Sequence, residues 1–289
     1  MLTPDASYAC LPPDPMPLTL QYHGETTVPL EIEGLTPDVV RGMALAEIER
    51  FEAFHGNRKV PLAEFFQVSG DATDGEMVFQ GDLSGVHWIG AAMQGGRIRV
   101  EGNAGRHVGS EMTGGEITVE GNAGDWVGGE MHGGVIRVAG RAGHLVGAAY
   151  RGSRRGMTGG TILIRGDAGN EIGHTMRRGS LVIGGAAGDC PGFNMLAGSI
   201  YIFGDCGIRP GAGMRRGTLG LFGSNPPPML PTFRRAGDAR PDFLRMTLID
   251  LWRQGIDFPP ALLETPFTLY HGDFVETGRG EILVPGTAT

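Results

Sequence analysis

The stretch that most constrains this chain runs from Gly121 to Gly134, GNAGDWVGGEMHGG. Nineteen residues earlier the chain reads GNAGRHVGSEMTGG, and a third copy, GRAGHLVGAAYRGSRRGMTGG, starts at Gly140. One such stretch would be a loop, but a series at constant period is an architecture. Aligned on their glycines, six units open at Arg97, Glu116, Val135, Thr161, Ser180 and Ser199. A divergent unit precedes them at Glu76 and a truncated one follows at Thr218. The period is nineteen, broken once by a seven-residue insertion in the unit that starts at Val135.

Each unit opens with polar and apolar residues alternating: Ile98 and Val100, Ile117 and Val119, Ile136 and Val138, Ile162 and Ile164, Leu181 and Ile183, Ile200 and Ile202. Period two with β-branched residues on one face predicts a short strand burying one side. No helical pattern lies between successive strands, and each connection is too long for a hairpin. Strands of one direction without crossover helices stack as the rungs of a parallel β-helix. The chain is therefore predicted to be mainly β, a single-stranded parallel β-helix of about seven coils. With rungs about 4.8 Å apart the rod would be roughly 34 Å long.

The glycine columns (Gly102, Gly105, Gly109 and their repeats) are expected at sharp corners and close backbone approaches. A column of small residues, Ala104, Ala123, Ala142, Ala168, Ala187 and Cys206, predicts a methyl-sized buried slot, which makes Cys206 a packing residue before a reactive thiol. Seven of the 13 methionines, from Met93 to Met214, form another column and are expected to fill the core between glycine corners.

Three regions follow: residues 1–75, strands and a short helix forming a small α/β cap; 76–223, the repeat; and 224–289, a proline-rich connector, a helix and an extended tail. In the first, TPDVVRGMALAEIERFEAFHG predicts a helix with Thr36 as N-cap and Pro37 at its first position, closing at Gly56 and open to a split at Gly42. In the last, DFLRMTLIDLWRQG places Leu244, Leu248, Leu251 and Trp252 at helical spacing, expected to cover the final coil. TPFTLYHGDFVETGRGEILV reads as an extended tail returning along the rod or gripping a partner.

A net charge of -8 argues against nucleic-acid binding. Cys10, Cys190 and Cys206 form no CxxC pair and no cluster spacing, which argues against an iron–sulfur or zinc site built by this chain alone. The N-terminus lacks a signal-peptide pattern and no apolar run approaches a bilayer span, so no membrane association and a cytoplasmic location are expected.

The search for chemistry yields no catalytic, cofactor-binding or metal-ligating residue. His107, His132, His144 and His174 fall in four different columns, and metal ligands need convergence. The column Arg106, Asp125, His144, Asn170, Asp189, Ile208 suits an exposed ladder, with a proton-transfer site as its alternative. The insertion is more informative, because insertions in repeat arrays map to one face. It carries Tyr150, Arg151, Arg154 and Arg155; Arg177, Arg178, Arg215 and Arg216 share one corner two coils apart. These residues are either scattered surface charge or a basic strip for an acidic subunit or a polycarboxylate tail.

The GxxGxxxG coils with DWVG, the AGHLVGAAYRG insertion and the late LPTF resemble the C subunit of formylmethanofuran dehydrogenase and that of the bacterial formyltransferase/hydrolase complex, from about Leu18 to Val284. The coils alone also resemble the C-terminal domain of the glutamate synthase large subunit. The resemblance implies a right-handed β-helix serving as a noncatalytic scaffold for amidohydrolase-like, formyltransferase and other subunits. Those subunits move a formyl group from formyl-tetrahydromethanopterin to a methanofuran-type cofactor and release formate. The near-absence of lysine favours the bacterial complex; the C subunit of a tungsten- or molybdenum-containing formylmethanofuran dehydrogenase is the alternative, and a stand-alone β-helix enzyme a distant third.

Overall fold

The paired aliphatic residues of each repeat all point into one core in the computed structural model, which describes residues 16–286. Cys10 and the N-terminal segment read for targeting signals lie outside the described residues. The N-terminal region holds β1 (Leu18–Tyr22), β2 (Leu30–Glu31), α1 (Pro37–Val40), α2 (Leu45–Ile48), β3 (Glu52–His55), β4 (Arg58–Pro61) and β5 (Phe66–Ser69). The repeats contribute β6 (Glu76–Gln80), β7 (Val86–His87), β8 (Arg97–Glu101), β9 (Glu116–Val119), β10 (Val135–Val138), β11 (Thr161–Ile164), β12 (Ser180–Ile183), β13 (Ser199–Ile202) and β14 (Arg216–Leu221). After them come β15 (Arg234–Ala239), α3 (Asp242–Arg253), β16 (Phe267–Gly272) and β17 (Arg279–Pro285).

The protein is mainly β, dominated by a 13-stranded sheet in the order β15-β16-β17-β14-β13-β12-β11-β10-β9-β8-β6-β1-β5. From β6 to β14 every neighbour is the next repeat, paired parallel and in register, so that Ile98, Ile117, Ile136, Ile162, Leu181, Ile200 and Leu219 form one continuous column. The connections ladder as well, through parallel bridges Ala104↔Ala123↔Ala142 and Ala168↔Ala187↔Cys206. Stacking identical strands at identical offsets lets each backbone satisfy the next while like side chains pack on like. Met93, Met112, Met131, Met157, Met176, Met195 and Met214 are all fully buried within that core.

Glycine has two different roles at the corners. Gly128 sits at φ +61, where a Cβ is disfavoured, whereas a Cβ on Gly124 would lie 2.9 Å from the Gly105 carbonyl of the previous rung. Twelve non-glycine residues among those described also have positive φ, all in two columns that glycine counting does not reveal. His107 (φ 63), Trp126 (φ 57) and Glu171 (φ 55) mark one; Glu111 (φ 59), Glu130 (φ 52) and Thr175 (φ 53) mark the other. The conformation turns each N–H toward the next rung: His107 donates to Asp125 O at 2.9 Å and Glu111 to Gly129 O at 2.8 Å. These inter-rung bonds offset a left-handed cost of roughly 1–2 kcal/mol per residue.

Both ends of the sheet close in the same way. At one end β1 adds parallel to β6 and β5 adds antiparallel outside it; at the other β17 adds parallel to β14, followed by antiparallel β16 and β15. The tail expected to run extended is thus a further rung and its hairpin. Phe233 of the connector is buried against the same core, with Met229 and Leu230 packed on it.

Two other expectations are corrected. The helix expected to close at Gly56 is two single turns, and Glu52–His55 is strand. Ala53 faces Val60 across a hairpin while Leu30 faces His55 on the other side, so strand pairing overrides the helical pattern. Thr36 occupies the N-cap position but makes no side-chain capping bond; its Oγ1 is buried without a partner. The C-terminal helix α3 covers the side of the sheet, the last unit's Phe222 included, and does not close its open end. Leu244, Leu248 and Leu251 pack instead on the outer sheet face against Leu163, Val182, Tyr201 and Phe222, leaving Trp252 63% exposed.

Candidate functional site

The insertion leaves the stack after Ala149 and returns at Met157, whose N–H donates to Gly147 O at 2.9 Å. Its arginines meet those of the next repeat because the residue after each core methionine stacks rung on rung. Thr158 N donates to Met131 O at 2.7 Å and Arg177 N to Met157 O at 2.8 Å, which lines up His132, Thr158 and Arg177. Together with Glu130, Ser153, Arg154, Arg155 and Arg178 these residues line an open cleft of about 720 Å³. His132 Nδ1 and Thr158 Oγ1 are hydrogen-bonded at 2.7 Å within its lining.

Four guanidinium groups therefore converge on one cleft. Basic groups elsewhere on the chain have carboxylate partners: Arg106 pairs with Asp125 at 3.6 Å, His174 with Glu171 at 3.1 Å and Arg215 with Glu276 at 2.9 Å. No ion pair among the described residues reaches Arg154, Arg155, Arg177 or Arg178. Guanidinium forks left unpaired around a concave surface are suited to carboxylate or phosphate groups. Arg151 is exposed but outside the cleft lining, and Arg215 and Arg216 lie two rungs, about 9.6 Å, beyond Arg177 on the same corner. The expected strip is thus divided between a four-arginine cleft and a second basic group near the end of the stack.

Tyr150 also stands outside the cleft lining. It joins a column of aromatic rings in which Trp88 and His107 are stacked at 4.0 Å with an interplanar angle of 3°, and His107 and Trp126 at 5.4 Å and 11°. The Tyr150 ring lies 6.3, 5.6 and 6.4 Å from Trp88, His107 and Trp126, and its N–H donates to Glu130 Oε1 at 2.9 Å. Burial, assisted by His87 and Arg106, pushes the His107 imidazole down to about 4. Burial likewise pushes the Tyr150 phenol up to about 12, with Glu111, Glu130 and Glu33 adding to it. Neither group is tuned for proton transfer near neutral pH. The column anchors one end of the insertion and so fixes where Arg154 and Arg155 stand. Sequence spacing did not reveal it, because the unit of Trp88 diverges from the others; the signal was an aromatic ring at one equivalent position in VHWIG, RHVG and DWVG.

The exposed column expected after the middle glycine is a hydrogen-bonding device. Asp125 Oδ1 accepts from His144 N at 2.8 Å, His144 Nδ1 from Asn170 N at 2.9 Å, Asn170 Oδ1 from Asp189 N and Asp189 Oδ1 from Ile208 N, both at 3.0 Å. Each side chain satisfies a backbone donor one rung on. Burial raises the Cys206 thiol to about 11, in keeping with a packing role. Among the described residues no cluster of three His, Cys, Asp or Glu side chains is placed to hold a metal ion, and no helix is long and apolar enough to cross a membrane.

No family model matches the chain. Among curated proteins, the C subunit of the molybdenum-containing formylmethanofuran dehydrogenase 1 of Methanothermobacter marburgensis is 42% identical over 79 residues, 27% of this chain and 20% of that protein. The C subunit of the tungsten-containing formylmethanofuran dehydrogenase 2 of Methanothermobacter wolfeii is 44% identical over 85 residues, 28% of this chain and 32% of the relative. The chain thus spans a fifth to a third of the length of these curated relatives. A solved structure extends the likeness to the whole fold. One polypeptide of the formyltransferase/hydrolase complex (FhcABCD) from Methylorubrum extorquens, crystallised with methylofuran, superposes with a TM-score of 0.84 at 32% identity, covering 93% of this chain and 99% of its own. This chain belongs to the family of that FhcABCD polypeptide. Within that family's stacked fold, it joins the repeat to a four-arginine cleft at the one insertion in the series.

Proposed function

We propose that this chain is the noncatalytic scaffold of a formyltransferase/hydrolase-type complex, acting in the cytoplasm in one-carbon metabolism beside amidohydrolase-like and formyltransferase subunits. The observation that carries the reading is the 99% coverage of the FhcABCD polypeptide at 32% identity, a whole-length likeness that includes both flanking regions. The scaffold itself is read as a right-handed, single-stranded parallel β-helix over 76–223, with 1–75 as one cap and 224–289 as the other. In-register pairing of consecutive repeats, with a second parallel ladder in their connections, supports it.

The arginine cleft is read as a dock for a carboxylate-bearing chain, an acidic subunit segment or the acidic arm of a methanofuran-type cofactor; the FhcABCD structure holds methylofuran. The donor set fits such a ligand, since guanidinium groups pair bidentately with carboxylates. No other chemistry is assigned to the cleft.

Isolating the chain from native cells should bring down formyltransferase and amidohydrolase-like companions, while the chain alone should neither transfer nor hydrolyse formyl groups. Turnover by the isolated chain at the rate of the complex would refute the scaffold reading. A second reading, the C subunit of a tungsten- or molybdenum-containing formylmethanofuran dehydrogenase, is favoured by the 42–44% identity to those proteins over the matched stretch. Tungsten or molybdenum in the native complex would decide for it.

A further inference from the structure

The turn between β16 and β17 is densely bonded for a surface loop. Asp273 is 5% exposed; its Oδ2 accepts from Gly213 N at 3.1 Å and its Oδ1 from Val275 N at 3.0 Å. Its carbonyl accepts from Glu276 N at 3.0 Å and Gly278 N at 2.9 Å, and Phe274 N donates to Thr232 O at 3.1 Å. Thr277 Oγ1 donates to Arg215 O, and the Arg215–Glu276 ion pair closes the far side.

What this rigid turn presents is apolar. Phe274 is 56% and Val275 75% exposed, adjacent in sequence at the tip. A buried carboxylate and the backbone bonds around it order a segment whose two outermost side chains face water, where they contribute little to the fold. Beside it, Arg216 and Arg279 are in-register neighbours on β14 and β17, both exposed. Like charges directly opposite on adjacent strands repel, and no ion pair among the described residues relieves them.

We propose that the Phe274–Val275 tip is a docking knob for another protein of the same complex, entering an apolar pocket rimmed by carboxylates that meet Arg216 and Arg279. Pre-ordering removes the entropy cost of fixing the knob on binding, and a central apolar anchor with a charged rim is the arrangement that concentrates binding energy. The proposal rests on the scaffold reading, but it concerns a surface separate from the arginine cleft.

The test uses tagged full-length chain co-expressed with the companion subunits of the complex. Wild type, Phe274→Asp, Val275→Asp and the Arg216→Glu/Arg279→Glu pair are purified in parallel, with thermal unfolding of each variant as the folding control. Expected are unchanged Tm values and at least a tenfold loss of one companion from the Asp variants; the arginine variant should lose the salt dependence of that association. Full recovery of every companion with both Asp variants would overturn the proposal. So would a wild-type chain that self-associates in isolation through the knob, since the occupant would then be a second copy. If wild type itself brings down no companion, the scaffold reading fails, a result distinct from loss in the variants alone.

Discussion

His107 shows how much a single residue carries in this fold. It takes a left-handed backbone conformation, its N–H bonds the next rung, and its ring fills the space between two indoles. Burial holds the imidazole at about 4, below its ordinary 6.5, so the unfolded chain takes up the proton first as pH falls. The stability this group contributes is complete above pH about 6.5 and is lost as pH falls toward about 4. His107→Phe keeps a ring in the stack but removes the titration. Between pH 6.5 and 4 the wild-type Tm should fall more steeply than that of the variant, with the two profiles parallel above 6.5; profiles parallel throughout would contradict the assignment. The histidine was visible in the sequence, but its neighbours were not. Trp88 belongs to the divergent first unit and Tyr150 to the insertion, and only the winding of the chain brings them to the same side.

At the scale of elements, the strands follow from period-two alternation because one buried face is enough to select them. The third residue of each strand is what alternation leaves undetermined. In β9 and β10 it is half-buried Thr118 and Arg137, whereas in β11, β12 and β13 Leu163, Val182 and Tyr201 are buried under α3. Those apolar outer residues were the sequence's signal that something covers that half of the sheet. Leu248→Ala should cost about 2–4 kcal/mol in urea unfolding, since it removes a side chain 1% exposed at the centre of that contact. Trp252→Ala, on the exposed side, should stay within about 0.5 kcal/mol. Equal losses would place the helix on its other face.

Across the whole molecule, the 13-stranded sheet has two ends that must be closed, because an open edge strand exposes unpaired backbone groups and the core behind it. β17 supplies a last rung and Phe233 a plug, while the outermost strand, β15, carries Arg234, Arg235, Asp238 and a bulge that discourage further pairing. Ending the chain after Gly223 should expose β14 and the core around Met214 and Leu219. The truncated protein is expected to aggregate on expression while the full chain remains in solution; a soluble, cooperatively folding truncation would show that the C-terminal region is dispensable. The repeat, its inward faces and the methionine and alanine columns were set by the sequence itself, because a nineteen-residue period leaves each residue type the same neighbours above and below. The arginine cleft was half legible: its residues stood out by composition, but their division from Arg215 depended on Glu276, sixty-one residues away along the chain. Tertiary structure alone decided the left-handed columns, the aromatic stack, the face that α3 covers and the return of the tail as a rung. Each depends on which distant segment lies alongside, and a local pattern does not encode that.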